Sequence, residues 1–271
     1  LDIKFLGVLP YADLKIEEED SLSDEDKRVY SDDKKYINIS IIKTKKMSNF
    51  TDFHPFKQYD DVRVKYIYDV KDLGDEDIII FPGSKNTIAD LEDLKKRGIF
   101  EKVKELKEKG KIIIGICGGL QMLGKKIYDL KHLESDILET EGFNFFDYET
   151  TFDEIKKTEQ VTKKIEVIEG ILKDFNGYEI KGYEIHQGVT NILTPIICKD
   201  NVFATYIHGI FDNSKFTNDF LNMIRKQKNM PERKEILSFN EFKEREYNKL
   251  AKLLRENLDI KEIYYILSTQ K

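Results

Sequence analysis

An α/β fold on a doubly wound, mostly parallel sheet is the architecture this sequence predicts, and three observations point to it. Two short runs, Asp77-Ile78-Ile79-Ile80-Phe81 and Lys111-Ile112-Ile113-Ile114-Gly115-Ile116, are apolar almost throughout, as are strands buried on both faces of a parallel sheet. Between them, residues 99–109 place Ile99, Val103 and Leu106 on one helical face, with lysines and glutamates opposite and Gly110 at the end, a helix followed by its stop signal. Strand, helix, strand in that order is the βαβ alternation of the class.

In chain order, residues 6–10 form a short apolar run ending at Pro10, read as a strand. Residues 17–28 are acidic and serine-containing without apolar periodicity, which predicts a connector. The β-branched runs 36–42 and 62–68 are strands, and the buried strand at 77–81 runs into Pro82-Gly83-Ser84. After the second buried strand, residues 120–127 have helical character. Beyond Gly142, residues 164–168 and 202–207 read as strands, the latter leading directly to His208. Past Pro231 the chain is rich in lysine and glutamate, with Leu250, Leu253, Leu254 and Leu258 at helical spacing, so a helical tail is expected. The division is therefore a junction at 1–35, a main domain at 36–231 and a helical tail at 232–271.

Composition narrows the function classes. Over 271 residues, 40% are hydrophobic and 35% charged, which favours a packed globular domain over disorder. The formal charge of −6 provides no basic field for nucleic acid. No apolar run approaches the roughly 18 residues that span a bilayer, so no membrane partner is expected. The start, Leu1-Asp2-Ile3-Lys4, lacks both an initiator methionine and the order of a signal peptide, and reads as the interior of a longer chain. Two cysteines, Cys117 and Cys198, suit a reducing cytoplasm better than a disulfide framework. No metal site is expected. No G-x-x-x-x-G-K-[ST] loop is present, so this chain by itself is not expected to bind ATP.

The chemistry concentrates in Gly115-Ile116-Cys117-Gly118-Gly119-Leu120-Gln121, where the second buried strand hands over to a helix. Its G-x-C-x-G spacing is that of a nucleophile elbow with cysteine in the serine position. An isolated cysteine is more often an inert buried residue, but the flanking glycines and the strand-to-helix setting favour a thiol presented at the carboxyl edge of the sheet. A thiol nucleophile needs a base, and His208, at the end of a sheet strand, is the candidate. His54 and His132 lie in polar contexts and are expected at the solvated surface. The turn containing Gly83 lies after the neighbouring strand, and the amides of Gly83 and Gly118 are the candidate oxyanion donors.

Four ordered segments, PGSKNTIADL from Pro82, GICGGLQMLG from Gly115, GYEIHQGVT from Gly182 and YIHGIFDN from Tyr206, resemble the class I glutamine amidotransferases, and within them the glutaminase domains of the cobyric acid synthase branch. The segment from Phe5 to Leu22 resembles the junction that follows the ATP-binding domain in that branch. The resemblance implies a flavodoxin-like class I glutamine amidotransferase fold. It also implies that Cys117 attacks the carboxamide of L-glutamine and His208 moves the protons, with Gln121, Ser84, Tyr183, Glu184 and His186 around the substrate, His186 as a structural or interface residue. Ammonia would pass to an N-terminal synthetase domain that uses ATP and Mg²⁺ to amidate a corrinoid substrate, adenosylcobyrinic acid a,c-diamide. The alternatives are a related amidotransferase, of the a,c-diamide synthase or lipid II amidating type, and a catalytically silent binding module. One departure stands out: many class I members carry glutamate two residues after the histidine, and here Ile210 takes that place. The group that orients His208 is not identifiable from sequence.

Overall fold

The computed structural model describes residues 3–16, 35–167, 169–234 and 237–269. The acidic connector predicted from residue 17 lies outside them.

Six strands form the central sheet in the order β11-β12-β6-β4-β1-β3: β1 (Ile37–Ile42), β3 (Val62–Ile67), β4 (Ile78–Phe81), β6 (Ile112–Ile116), β11 (Ile196–Lys199) and β12 (Val202–Thr205). All neighbours are parallel except β11, which closes one edge antiparallel to β12. Every residue of β4, β6 and β12 is buried, so both faces of the sheet are covered, as the apolar runs require. The helices that cover it are α1 (Thr87–Lys96), α2 (Ile99–Glu108), α3 (Gly118–Leu123) and α4 (Ser214–Gln227). Each contributes an apolar stripe, such as Phe216, Phe220, Leu221 and Ile224 of α4, to one continuous core. A buried Arg225 ties α4 to the start of β3 by pairing in bidentate fashion with Asp61, at 2.7 and 2.9 Å.

A second sheet, ordered β10-β9-β7-β8, is built from β7 (Lys126–Tyr128), β8 (Glu139–Glu141) and the long antiparallel ribbon of β9 (Glu149–Lys164) and β10 (Glu179–Thr190). The short pair β2 (Met47–Ser48) and β5 (Gly83–Ser84) clamps the turn after β4 to the turn after β1. Beyond α4 lie α5 (Phe239–Asn257), opened by a Ser238–Glu241 capping box, and α6 (Ile260–Thr269).

Several expected elements differ. The helical character read over 120–127 stops at Leu123, because Gly124 turns extended and Ile127 is buried within β7. The strand expected at 164–168 is instead the last residue of β9 followed by irregular chain through residue 167, with residue 168 outside the described set. The outer reach of β9 is polar and exposed, so it carries no apolar pattern to read. Helix α1 has no counterpart among the predicted elements, although Asn86 caps it by accepting from the Ala89 amide at 2.9 Å. Residues 6–10 are not a strand: the chain makes a single bridge there, Gly7 with Leu258.

Candidate active site

Adjacent parallel strands end on the same edge, and this brings the site together. Thr205 of β12 is registered with Ile116 of β6, and Phe81 of β4 with Gly115. The residues that follow, Cys117, His208 and Gly83, therefore emerge side by side at the carboxyl edge, where open α/β sheets form their sites. The Cys117 amide donates to the Thr205 carbonyl at 2.8 Å.

Cys117 has φ 53° and ψ −107°, a conformation costly for a residue with a side chain. It persists because the elbow is packed against its neighbours without slack. A Cβ on Gly119 would sit 2.1 Å from the Phe81 carbonyl oxygen, so only glycine lets α3 approach β4 this closely. The thiol is 7% exposed, and Sγ lies 3.5 Å from the Ile185 carbonyl of β10.

His208 is fully buried. Its backbone pairs with Tyr183 in both directions, at 2.8 and 3.1 Å, and the Tyr183 ring stacks on the imidazole with centroids 5.1 Å apart. A Cβ built on Gly83 would lie 3.2 Å from His208 Cε1, so the turn after β4 also lies against this ring. The Tyr183 hydroxyl accepts from Asn49 at 2.8 Å.

The orienting group missing from the sequence reading is Asp52. Its Oδ2 lies 2.7 Å from His208 Nδ1, and its Oδ1 accepts the Gly209 amide at 2.9 Å. Asp52 stands on a 3-10 helix over Phe50–Gln58, between β2 and β3, and is 3% exposed. Burial alone would depress the His208 pKa, but the hydrogen bond that Nδ1 donates to Asp52, together with the facing Cys117 sulfur, outweighs it and raises the value to about 10. Nε2 is buried without a conventional hydrogen-bond partner among the described residues. It is the ring nitrogen left for proton transfer. The carboxylate that sequence reasoning sought beside the histidine thus comes from 156 residues away.

The other named residues fall around this pair. Gln121 is buried, its Oε1 accepting from Thr87 at 2.9 Å and its Nε2 donating to Tyr206 at 3.3 Å. Both ends of its amide are thus engaged. Ser84 donates to Asp90 at 2.6 Å and accepts the Asn86 amide at 3.0 Å. A Cβ on Gly118 would meet the Ser84 amide nitrogen at 2.8 Å, which places that turn against the start of α3. Glu184 and His186 are neighbours at 3.4 Å, His186 stacks on Tyr206 with centroids 3.8 Å apart, and Lys157 Nζ reaches Glu184 at 2.5 Å. His186 and then Lys157, against the opposing effect of burial, hold the Glu184 carboxyl down at about 2. Glu134, unremarked in the sequence, accepts the Thr87 amide at 2.8 Å, and burial with nearby Asp129 and Asp90 pushes its pKa up to about 7.

His54, expected at the surface, is 5% exposed and packs edge-on against Phe239 of α5 at 5.8 Å. The aromatic partners that bury it are distant in sequence. His132 is exposed. Cys117 and Cys198 are both free. Among the described residues, no helix is long and apolar enough to cross a membrane, and no three His, Cys, Asp or Glu side chains are grouped to hold a metal ion.

Residues 38–216 match the family of CobB/CobQ-like glutamine amidotransferase domains. Curated relatives include a cobyric acid synthase of Caldanaerobacter subterraneus subsp. tengcongensis, 40% identical over 97% of this chain and 56% of its own length. A cobyric acid synthase of Clostridium novyi is 42% identical over 99% of this chain and 56% of its own. The chain thus spans little more than half the length of these relatives. A crystal structure of a glutamine amidotransferase aligns with 68% of this chain and 96% of its own at 14% identity and a TM-score of 0.48.

Proposed function

This chain belongs to the CobB/CobQ-like glutamine amidotransferase family, and on that premise we propose that it hydrolyses glutamine with Cys117 as nucleophile, His208 as proton carrier and Asp52 as the group that positions His208. The observation that carries the reading is the strained Cys117 elbow on the same sheet edge as a buried histidine whose Nδ1 is held by a buried carboxylate.

The chemistry runs in two halves. Cys117 Sγ, its proton carried on the charged His208 ring at Nε2, attacks the side-chain carbonyl carbon of glutamine. In this reading the amides of Gly83 and Gly118 stabilise the oxyanion. His208 returns its proton to the amide nitrogen as the C–N bond breaks, and ammonia leaves a glutamyl thioester. His208 then deprotonates water, which attacks the thioester, and proton return to sulfur releases glutamate. Asp52 keeps Nδ1 engaged throughout, so that Nε2 carries the exchanged proton. Gln121, Ser84, Tyr183, Glu184 and His186 frame the substrate.

The match to cobyric acid synthases over nearly the whole chain supports a narrower reading. The ammonia serves a companion half that uses ATP and Mg²⁺ to amidate carboxylates of a corrinoid, adenosylcobyrinic acid a,c-diamide, in the cytoplasm. A glutamine-mimicking diazo ketone should label Cys117 and leave Cys198 untouched, and His208→Ala should remove nearly all ammonia release while His132→Ala does not. Labelling at Cys198, or full turnover in His208→Ala, would overturn the assignment.

A further inference from the structure

The amidotransferase family match ends at residue 216 and begins at residue 38, whereas the match to cobyric acid synthases takes in 97% to 99% of the chain. The segments in the second match but outside the first include the strap at residues 3–16 and the helices α5 and α6. They also carry a concentration of uncovered apolar surface. In the strap, Ile3 is 77%, Phe5 76% and Val8 67% exposed. In α6, Tyr264 is 69%, Tyr265 63% and Leu267 64% exposed, and no residue of that helix is buried. The two form one body: Gly7 bridges Leu258, the Asp259 amide donates to the Leu6 carbonyl at 2.8 Å, and Lys4 pairs with Glu262 at 2.5 Å.

The strap has a particular composition. Phe5-Leu6-Gly7-Val8-Leu9 is apolar at successive positions, so as an extended segment it presents apolar side chains to both sides, the pattern of a strand inside a parallel sheet. Here it makes a single bridge, and its backbone otherwise lies outside any sheet. An apolar segment whose backbone lies almost wholly outside a sheet is suited to β-strand addition, and an exposed apolar face marks an interaction surface.

Resting on the reading above, we infer that the strap and α6 form the docking face for the ATP-dependent companion half, and that this half receives residues 5–9 as an added strand. The portion of the longer relatives outside the match, a little over two-fifths of their length given the 56% spanned, is large enough to be a separate domain. The same strap touches the catalytic machinery at second hand. The Lys15 carbonyl lies 3.0 Å from His54 Nε2 and the Lys15 amide donates to Glu246 of α5 at 3.1 Å. His54 stands on the 3-10 helix that carries Asp52. Docking therefore has a physical path to the group that holds His208.

Hydrogen exchange separates docking from chemistry. Amides of residues 3–11 and 260–269 are compared in the 271-residue chain alone and in a protein that also carries the ATP-dependent half. Exchange at least tenfold slower in the longer protein is expected, with β6 unchanged. Val8→Asp combined with Leu267→Asp should restore fast exchange there and reduce glutamine-dependent amidation, while ammonia-dependent amidation and diazo-ketone labelling of Cys117 persist. Equal exchange in the two proteins overturns the inference, as does self-association of the 271-residue chain through these residues with no added protection in the longer one. Protection without Cys117 labelling would retain the docking face and reject the glutaminase reading; labelling without protection would do the reverse.

Discussion

At His208 burial and charge pull in opposite directions, and the Asp52 carboxylate together with the facing thiol decides the contest in favour of the charged ring. Asp52→Asn keeps the shape and removes the charge. It should reduce kcat for glutamine hydrolysis by about 100-fold or more, toward the roughly 10⁴-fold loss that follows when the carboxylate of a Ser-His-Asp triad becomes an amide. The pH profile should shift with it, since the His208 pKa falls back; an unaltered profile in steady-state ammonia release would show that Asp52 is only structural. Stability carries the same signature. A histidine raised from 6.5 to about 10 contributes stability that is fully present below pH 6.5 and is lost as pH rises through 10. Glu184, lowered from 4.5 to about 2, contributes stability present above pH 4.5 and lost as pH falls toward 2. Urea titrations across pH should therefore show Asp52→Asn flattening the alkaline decline and Glu184→Gln flattening the acid one.

Among the elements, the contact of α3 with β4 is the one on which the elbow depends. Gly119 lets the two backbones touch, and Gly119→Ala places a methyl group 2.1 Å from the Phe81 carbonyl oxygen. Because the obstacle is backbone inside a packed core, relief requires moving α3 as a unit. A stability loss of about 1 to 3 kcal/mol is expected in urea denaturation, together with slower labelling of Cys117, whose position α3 fixes. Gly98→Ala, at a site with open space around it, is the contrasting control for steric overlap, though its positive φ of 73° adds a smaller backbone cost of its own.

For the molecule as a whole, an ammonia-producing site is useful only when an acceptor is ready. The link from strap through His54 to the helix of Asp52 offers a means of coupling the two. The 271-residue chain alone should release ammonia slowly. On the proposed function, adding an ATP-dependent companion half with ATP, Mg²⁺ and corrinoid should raise turnover at least tenfold, each tenfold step being about 1.4 kcal/mol of barrier. Equal rates with and without that half would mean that the site is complete as it stands.

The buried runs at 78–81 and 112–116 made the parallel sheet legible from sequence, because a strand covered on both faces has no polar side to show. The glycine-flanked Cys117 and the strand-terminal His208 were legible for a related reason: a tight elbow and a sheet edge leave local marks. Asp52 left none. It reaches His208 only because β1 lies beside β4 and the 3-10 helix after β2 folds over the carboxyl edge, a meeting set by strand order and not by spacing along the chain. The burial of His54 under Phe239 and the ending of helix α3 at Gly124 were likewise decided by tertiary contacts, which determine which polar groups lose water and which short apolar runs become strand or helix. Sequence thus determined the buried strands of the sheet and the candidate pair Cys117 and His208, while only the packed structure decided which carboxylate faces that histidine, since that depends on a through-space approach between segments with no periodicity in common.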